Sequence, residues 1–447
     1  MRTAIFFTLL VTAASSGLSA ATKTGYAFRS ARQPGQIDHV AIDLKAAGQT
    51  QFADDGKPGH EELSLRCKLE YDEKTLDFAA RGDGACRSVR RYRKAAAVST
   101  VGGEEFRPSL RSALRLICAE AHGPTVLLFA PAGALNRSEL DLIEVQADSL
   151  LLDRLLPARR VVLGDQWPHR KQLLAALLGL DEVSKADVQS RLKEVTDIVA
   201  RFEIHGHVEG AVHGAPTQID LKGKYRFDLR SRRIDWLGLL IKEKRQSSLV
   251  ADGLEVHSVL QVTVHPLAHA ADLSAATLAK VAAQVRASPE STRLSYHSAS
   301  GHWQFVYDRR WYVFRDQPEV AVLRLLDRGE VIAQCNVSSL PDRPADQLVG
   351  LSEFQDDVRR ALDKDFGGFV EASQRVDPSE HRILRVVAEG KHSEIPIQWI
   401  YYHVADRQGR QVAFTFTVEK GLLDRFEDAD QLFVRSLRFD RPPAATK

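Results

Sequence analysis

Two segments of the chain alternate strictly between apolar and polar residues, which is the pattern of strands with one buried face. The apolar positions are Leu63, Leu65, Cys67, Leu69 and Tyr71 in the first segment, and Ile219, Leu221, Tyr225 and Phe227 in the second. After each run comes an aspartate, Asp72 or Asp228, and then a second apolar stretch from Leu76 or Ile234. Each segment therefore predicts an antiparallel hairpin. The matching order indicates a duplicated β-module, although two unrelated amphipathic hairpins would look alike.

Between these segments the apolar spacing changes to that of amphipathic helices. One stripe consists of Leu173, Leu174, Leu177 and Leu178, and a second consists of Val188, Leu192, Val195 and Val199. Ser184 and Asp187 precede the second stripe and have the spacing of a helix cap. The sequence thus predicts two helices, followed by a strand that begins at Phe202.

The patterning divides the chain into consecutive regions. A β-rich module over 22–156 is followed by a second β-module with two helices over 157–267 and by an alanine-rich helical linker over 268–292. Residues 293–440 predict strands, a helix, three strands, a second helix and a short strand, and 441–447 predict a disordered tail. The expected fold class is α+β in a multidomain protein, which suits a length of 447 residues.

The last large region, 293–440, resembles the PsbP-like fold, which PsbP, Mog-type import factors and DcrB lipoproteins share. The likeness is carried by the aromatic opening, by a helix over 346–366, by the strand over 414–418 and by the C-terminal pattern; its single residues are Phe305, Tyr307, Trp311, Phe433, Val434, Ser436, Leu437 and Phe439. The resemblance implies an α/β/α sandwich and a role in binding or assembly. It supplies no catalytic residues.

The N-terminal modules have a looser likeness. Strands with helices laid against one face resemble the half-barrel sheet of periplasmic lipoprotein carriers of the LolA type, over 22–267 at most. The phrase Leu155, Leu156, Pro157 with Gly164, Asp165 and Trp167 is similar to a connector in uncharacterised secreted bacterial proteins. Both likenesses concern architecture, and fold alone does not define function.

The first 21 residues read as a cleavable signal peptide. Arg2 supplies the positive end, 5–11 supply an apolar stretch, and Ser19 and Ala21 are small residues spaced for cleavage. No later run is long enough for a transmembrane segment. The sequence therefore predicts an extracytoplasmic protein, periplasmic or secreted, of bacterial type.

Charge excludes one class of partner. The formal net charge is +2, so no excess of positive charge recommends a nucleic acid. The densest basic run extends from Arg87 to Lys94, and we interpret it as a solvated face.

Four cysteines occur, and none forms a CxxC pair. Cys67 and Cys86 are close enough in sequence to staple a hairpin, so we expect a disulfide between them in an oxidising compartment. Cys335 lies on the apolar side of an alternating strand and reads as a small buried hydrophobe.

Three histidines form the sharpest candidate metal site. His205, His207 and His213, with Glu209, recur on one side of an alternating strand, and such residues can converge on zinc or copper. The alternative is an ordinary polar face, because His205 and His213 would be roughly 26 Å apart along a straight strand.

Motifs for enzymatic chemistry are scarce. Ser190 and Lys193 match a minimal SxxK pair, but the GxSxG, HExxH, GxGxxG and Walker motifs do not occur. We therefore expect a non-enzymatic protein without a cofactor that binds an unknown protein or an apolar envelope ligand. The alternatives are a hydrolase whose site is assembled in space and a metal-binding envelope protein.

Overall fold

The computed structural model describes residues 25–54, 57–78, 86–123, 125–248, 252–281, 285–300, 302–344 and 347–440. The expected signal peptide, 1–21, and the expected tail, 441–447, lie outside these ranges. Within them, no helix is both long enough and apolar enough to cross a membrane.

Strands dominate the first part of the chain. The elements in order are β1 (Ile37–Asp54), β2 (Lys57–Asp77), β3 (Cys86–Val101), β4 (Glu104–Phe106), β5 (Leu116–His122), β6 (Thr125–Phe129), β7 (Leu135–Asn136), α1 (Arg137–Ile143), β8 (Gln166–Pro168), α2 (Lys171–Leu178), β9 (Glu182–Ala186), β10 (Gln189–Val195), β11 (Val199–Val212), β12 (Ala215–Asp228), β13 (Arg233–Arg245) and β14 (Gly253–Leu267).

All of these strands except β7 form one antiparallel sheet, which two predicted modules share. Its order is β6-β5-β3-β2-β1-β14-β13-β12-β11-β10-β8. β1 pairs with β14 along most of its length, from Ile37 opposite Leu267 to Gln51 opposite Gly253. The expected boundary between 156 and 157 therefore does not separate two sheets.

The sheet is strongly curved. Gly123, in the turn between β5 and β6, and Trp167, in β8, line the same cavity although they belong to opposite ends of the strand order. Strands are about 4.8 Å apart, so a flat sheet of this width would separate them by about 50 Å. The two edges approach each other only because the sheet bends.

The first predicted hairpin was wrong and the second is confirmed. β2 continues through Asp72 to Asp77 without a turn, whereas β12 and β13 pair as an antiparallel hairpin after Asp228. The polar run after Tyr71 resembles a turn in sequence, but Asp72 pairs with Arg93 of β3 and Glu73 pairs with the buried Arg90 and Arg32. The predicted duplication loses its basis, because only one of the two segments is a hairpin.

The second predicted helix was also wrong, while the first is α2. Val188, Ser190 and Leu192 are buried at alternate positions in and beside β10, so the period is that of a strand. A spacing of four residues fits both a helix and a strand, and the buried Ser190 hid the alternation.

The remaining elements follow the sequence pattern, with two exceptions. They are α3 (Ala275–Val281), β15 (Leu294–His297), β16 (Trp303–Tyr307), β17 (Trp311–Asp316), β18 (Val320–Asp327), β19 (Glu330–Leu340), α4 (Leu351–Leu362), β20 (Phe366–Val376), β21 (Arg382–His392), β22 (Ile395–Ala405), β23 (Gln411–Glu419), α5 (Leu423–Phe426), α6 (Ala429–Ser436) and β24 (Arg438–Phe439). Four strands rather than three follow α4, and the last predicted helix is divided into two. The linker region packs on the large sheet, where Leu273 contacts Val89 and Phe129 in a small buried cluster.

The C-terminal sheet has helices on both faces, as an α/β/α arrangement requires. Its order is β17-β18-β19-β23-β22-β21-β20. On one face, Val358 and Leu362 of α4 cover Trp399 and its neighbours. On the other, Phe433 of α6 contacts Phe416, with ring centroids 5.4 Å apart.

The two parts of the chain are joined by backbone pairing. β7 pairs in parallel with β15 in a small sheet of order β24-β16-β15-β7. One hydrophobic core extends through both parts, so the large sheet and the C-terminal region do not have separate cores.

Candidate functional site

One face of the large sheet, here called the inner face, carries the apolar side chains of its central strands. Cross-strand pairing arranges them in rows. One row is Leu69, Ile42, Val262 and Leu237, and the next is Cys67, Leu44, Leu260 and Leu239. Both rows are buried, and α1 and α2 contribute buried leucines to the same core.

A network of charged side chains is buried beyond the row that contains Leu69, on the side away from Cys67. Arg90 Nε donates to Glu73 Oε1 at 2.8 Å, and its two terminal nitrogens donate to the Asp148 carboxylate at 2.8 and 2.6 Å. Burial opposes ionisation of Glu73, but attraction to Arg90 and Arg32 outweighs it and lowers the pKa of Glu73 to about 2. The network ties β2 and β3 to the chain that follows α1. Arg90 belongs to the basic run that we interpreted as solvated, so that interpretation was wrong for this residue.

At the opposite end of the rows the inner face opens into a cavity of about 900 Å³, here called the α1 cavity. Three further rows of the inner face form the sheet wall of this cavity. The first contains Leu65, Ala46 and Ser258, the second contains Leu63 and Val256, and the third contains Leu254. Its other wall is formed by α1, by the residues that follow α1 and by the end of α2, with Leu142, Val145 and Leu178.

The inner face remains apolar beyond the point at which α1, α2 and the residues after α1 cease to cover it. Leu142 marks this limit, because its carbonyl oxygen lies 3.9 Å from the Cys67 sulfur. Beyond it, Leu63, Leu65 and Leu254 are only half-buried, and Phe106 at the cavity is 51% exposed. Apolar side chains that face a cavity gain free energy when a nonpolar ligand covers them.

Polar groups surround this apolar wall, and two carboxylates among them have raised pKa values. Arg245 pairs with Glu243 at 2.5 Å, and Arg107 pairs with Glu105 at 2.7 Å. The Asp141 side chain is 60% exposed and lies 3.9 Å from Arg137. Desolvation by the protein atoms around the carboxyl group nevertheless raises the pKa of Asp141 to about 6, against the opposing effect of Arg137.

Glu144 follows α1 and lines the same cavity. Burial raises its pKa to about 6 as well, and Arg309 and Arg137 oppose the increase. Asp141 and Glu144 are therefore largely charged at pH 7 and largely neutral at pH 5. The site can respond to a change of charge in this pH range.

Arg137 connects α1 to the C-terminal region. Its terminal nitrogen donates to the carbonyl oxygens of Arg309 at 2.7 Å and Trp311 at 3.1 Å. Its guanidinium also lies 4.6 Å from the Tyr312 ring centroid. The helix that forms one wall of the cavity is thus fixed against the C-terminal region.

The structure does not bring the three candidate metal ligands together. His207 contacts Asp220 at 2.7 Å and Glu209 at 3.6 Å, whereas His213 occupies the turn after β11 and contacts the Tyr312 ring at a tilted angle. His205 precedes both of them in β11 and lies opposite Gln189 of β10. In the described ranges, no group of three or more His, Cys, Asp or Glu side chains is arranged to hold a metal ion.

The strand register also separates the two cysteines of the predicted disulfide. Cys67 pairs with Ala97 in β3, whereas Cys86 is the first residue of β3 and pairs with Ala121 in β5. The distance from Cys86 to Ala97 along the strand is roughly 35 Å. A disulfide requires Cα atoms within about 7 Å, so this register contradicts the predicted bridge. Cys335 is buried, as predicted.

The SxxK pair is not a catalytic pair in the structure. Lys193 forms an ion pair with Glu203 at 3.2 Å, and the Ser190 hydroxyl lies 2.7 Å from His169 Nε2. Ser190 is fully buried, so no substrate reaches its oxygen. The histidine satisfies a buried hydroxyl group, which is a structural role.

The residues of the α1 cavity were not identified from the sequence as a site. Leu63, Leu65 and Cys67 were recognised as one apolar face, but the sequence did not show which part of that face lacks a cover. Ser258 and Ala46 are opposite each other in the register although they are far apart in the chain. The only signal in the sequence was Ser258, a polar residue at an otherwise apolar position of an alternating strand.

Comparison with known proteins gives structural likenesses alone. No family model and no curated protein matches the chain. Over 33% of its length the chain is similar to cyanobacterial PsbP (CyanoP) from Synechocystis, with 16% identity, 92% of that chain covered and a TM-score of 0.27. A protein of Bacteroides thetaiotaomicron matches 33% of the chain over 48% of its own length, with 12% identity and a TM-score of 0.25.

A third likeness involves a lipid-associated protein. The chain is similar over 54% of its length to lipovitellin, from a study of lipid–protein interactions, with 26% of that chain covered, 8% identity and a TM-score of 0.31. At these TM-scores and identities the likenesses carry no argument about function.

Proposed function

We propose that this protein is a non-enzymatic binding protein of the cell envelope that holds an apolar or amphiphilic ligand in the α1 cavity. The observation that carries the proposal is the row of Leu65, Ala46 and Ser258, which prolongs the buried rows of the inner face into a cavity. A volume of about 900 Å³ is in the range of cavities that bind small molecules.

The ligand chemistry follows from the two kinds of surface in the cavity. The sheet wall is aliphatic and offers little hydrogen bonding, which suits a hydrocarbon chain or ring system. Four carboxylates, Asp141 and Glu144 among them, line the cavity together with two arginines, and a third arginine, Arg137, lies 3.9 Å from Asp141. Carboxylates are therefore in excess at this edge. A head group that is neutral or cationic fits this edge better than an anionic one.

Protein recovered from its native envelope provides the first test. The full chain is purified without detergent and extracted with organic solvent, and the extract is analysed by mass spectrometry. We expect an apolar envelope compound at close to one molecule per chain. Ala46→Trp, which places an indole in the cavity, should carry much less of this compound.

The control for this experiment has the same indole on the opposite face. Leu240 is 58% exposed on the outer face of β13 and does not line the cavity. Leu240→Trp should carry the compound at the wild-type level. Equal amounts in all three proteins, or only background lipids in each, would contradict the proposal.

A further inference from the structure

A second cavity lies where the two edges of the curved sheet approach each other, away from the α1 cavity. Its volume is about 700 Å³, and four of its lining residues are arginines: Arg29, Arg154, Arg159 and Arg170. We call it the arginine cavity. It lies at the start of α2, whereas the α1 cavity lies at the end of that helix.

The arginine cavity has an excess of positive charge. Within the described part of the chain, neither the Arg29 side chain nor the Arg170 side chain has a hydrogen-bond or ion-pair partner, and Arg159 pairs with Asp165 at 3.0 Å. Burial lowers the pKa of His169 to about 4, so this imidazole is neutral at pH 7 and adds no charge. The cavity's positive charge therefore comes from guanidinium groups.

The carboxylate among the described lining residues is already satisfied by the protein. Asp153 accepts hydrogen bonds from the Ser30 hydroxyl at 2.6 Å and from the backbone N–H of Ile234 at 2.9 Å. It is buried, and it does not neutralise the exposed Arg29 and Arg170. Guanidinium groups in such a setting favour carboxylate and phosphate oxygens, to which they donate paired hydrogen bonds.

The cavity also has an apolar wall. Leu156 and Leu173 are half-buried there, beside Pro168 and Trp167. The Trp167 ring is fixed, because its Nε1 donates to the Leu155 carbonyl oxygen at 3.0 Å. A bare inorganic ion would leave this wall without a contact.

We infer that the arginine cavity binds an amphiphile whose head group is an oxyanion, a phosphate or a carboxylate. The head group lies against Arg29 and Arg170, and the apolar body lies against Leu156, Leu173 and Trp167. This site differs from the α1 cavity in position and in the sign of its charge. It stands whether or not the α1 cavity binds a ligand.

Calorimetric titration with short-chain probes tests the inference. The full chain carrying Ala46→Trp is used, so that the α1 cavity does not contribute. The probes are octyl phosphate, octanoate, octanol and inorganic phosphate. We expect octyl phosphate or octanoate to bind, and octanol and inorganic phosphate to bind at least tenfold more weakly, because each lacks one half of the recognised structure.

Substitution of the unpaired arginines assigns the binding to this cavity. Arg29→Ala with Arg170→Ala should weaken the binding of the anionic probe about tenfold or more, since each guanidinium is a charged donor. The control pair, Arg66→Ala with Arg375→Ala, removes two exposed arginines elsewhere and should leave the affinity unchanged.

Three results would overturn the inference. They are equal loss of affinity in the two double variants, no effect of Arg29→Ala with Arg170→Ala in a protein whose thermal unfolding is normal, and inorganic phosphate binding as tightly as octyl phosphate. The last result would show that the apolar wall contributes nothing.

Discussion

Gly214 and Gly329 touch backbone to backbone where the large sheet meets the C-terminal region. A Cβ on Gly214 would lie 2.5 Å from the carbonyl oxygen of Gly329, and a Cβ on Gly329 would lie 2.8 Å from the Cα of Gly214. Each glycine is the second residue of a two-residue hairpin turn with positive φ at both positions, after His213 and Arg328. The two turns can approach so closely because neither has a side chain at the contact.

Gly329→Ala should therefore destabilise the protein through two separate effects. The positive φ of 79° costs about 1–2 kcal/mol for any residue with a Cβ, and the clash with Gly214 adds about 1–3 kcal/mol. Gly35→Ala is the matched control, since φ is 88° and nothing lies within 4 Å of its Cβ. Urea unfolding of both variants would show the difference, and equal losses of unfolding free energy would contradict the close contact.

The buried ion pairs of Arg90 predict a large contribution of this residue to the unfolding free energy. Arg90→Met removes the partner of Glu73 and Asp148 in a buried site, which should lower the unfolding free energy by about 3–5 kcal/mol. The neighbouring Arg91 is partly exposed and lies 3.6 Å from Asp272, so Arg91→Met should cost less than about 1 kcal/mol. Chemical denaturation measures both values. Similar losses for the two variants would show that the network does not stabilise the fold.

The carboxylates of the α1 cavity predict a pH dependence of binding. Because burial raises the pKa values of Asp141 and Glu144 to about 6, both groups gain protons as the pH falls from 7.5 to 5. The affinity for decyltrimethylammonium, whose charge is fixed, should therefore decrease over this range. The affinity for decanol should change little, because decanol carries no charge.

The double variant Asp141→Asn with Glu144→Gln provides the control for this titration. It should bind decyltrimethylammonium weakly at every pH and show no dependence between pH 5 and 7.5. If the variant keeps the wild-type pH profile, other groups cause it and the assignment of Asp141 and Glu144 is wrong.

Local periodicity predicted much of the fold where a strand or helix shows its full pattern in one stretch of sequence. α2, α4 and most strands of the C-terminal sheet were expected, and they form because each has a continuous apolar face. The edge strand β20 was not predicted. β2 was misread because Asp72 and Glu73 look like turn residues. Their partners, Arg93 and Arg90, lie on the next strand, and a local pattern does not include them.

The candidate site was harder to predict because it depends on where the helices cease to cover the apolar inner face of the large sheet. The alternation of Leu63, Leu65 and Cys67 indicates an apolar face, and Cys67 is indeed buried. Which of these residues faces a cavity depends on the length of α1 and on the register of β1 with β14. Those are long-range relationships that no local pattern encodes.

The most direct measurement is the affinity of the full chain for N-phenyl-1-naphthylamine, an apolar probe whose fluorescence increases in a nonpolar site. We predict saturable binding of one probe per chain. Ala46→Trp and Ser258→Trp, on opposite strands of the same row, should each weaken this binding about tenfold or more, and Leu240→Trp should match the wild type. Wild-type affinity in Ala46→Trp and Ser258→Trp, with both variants normally folded, would contradict the account.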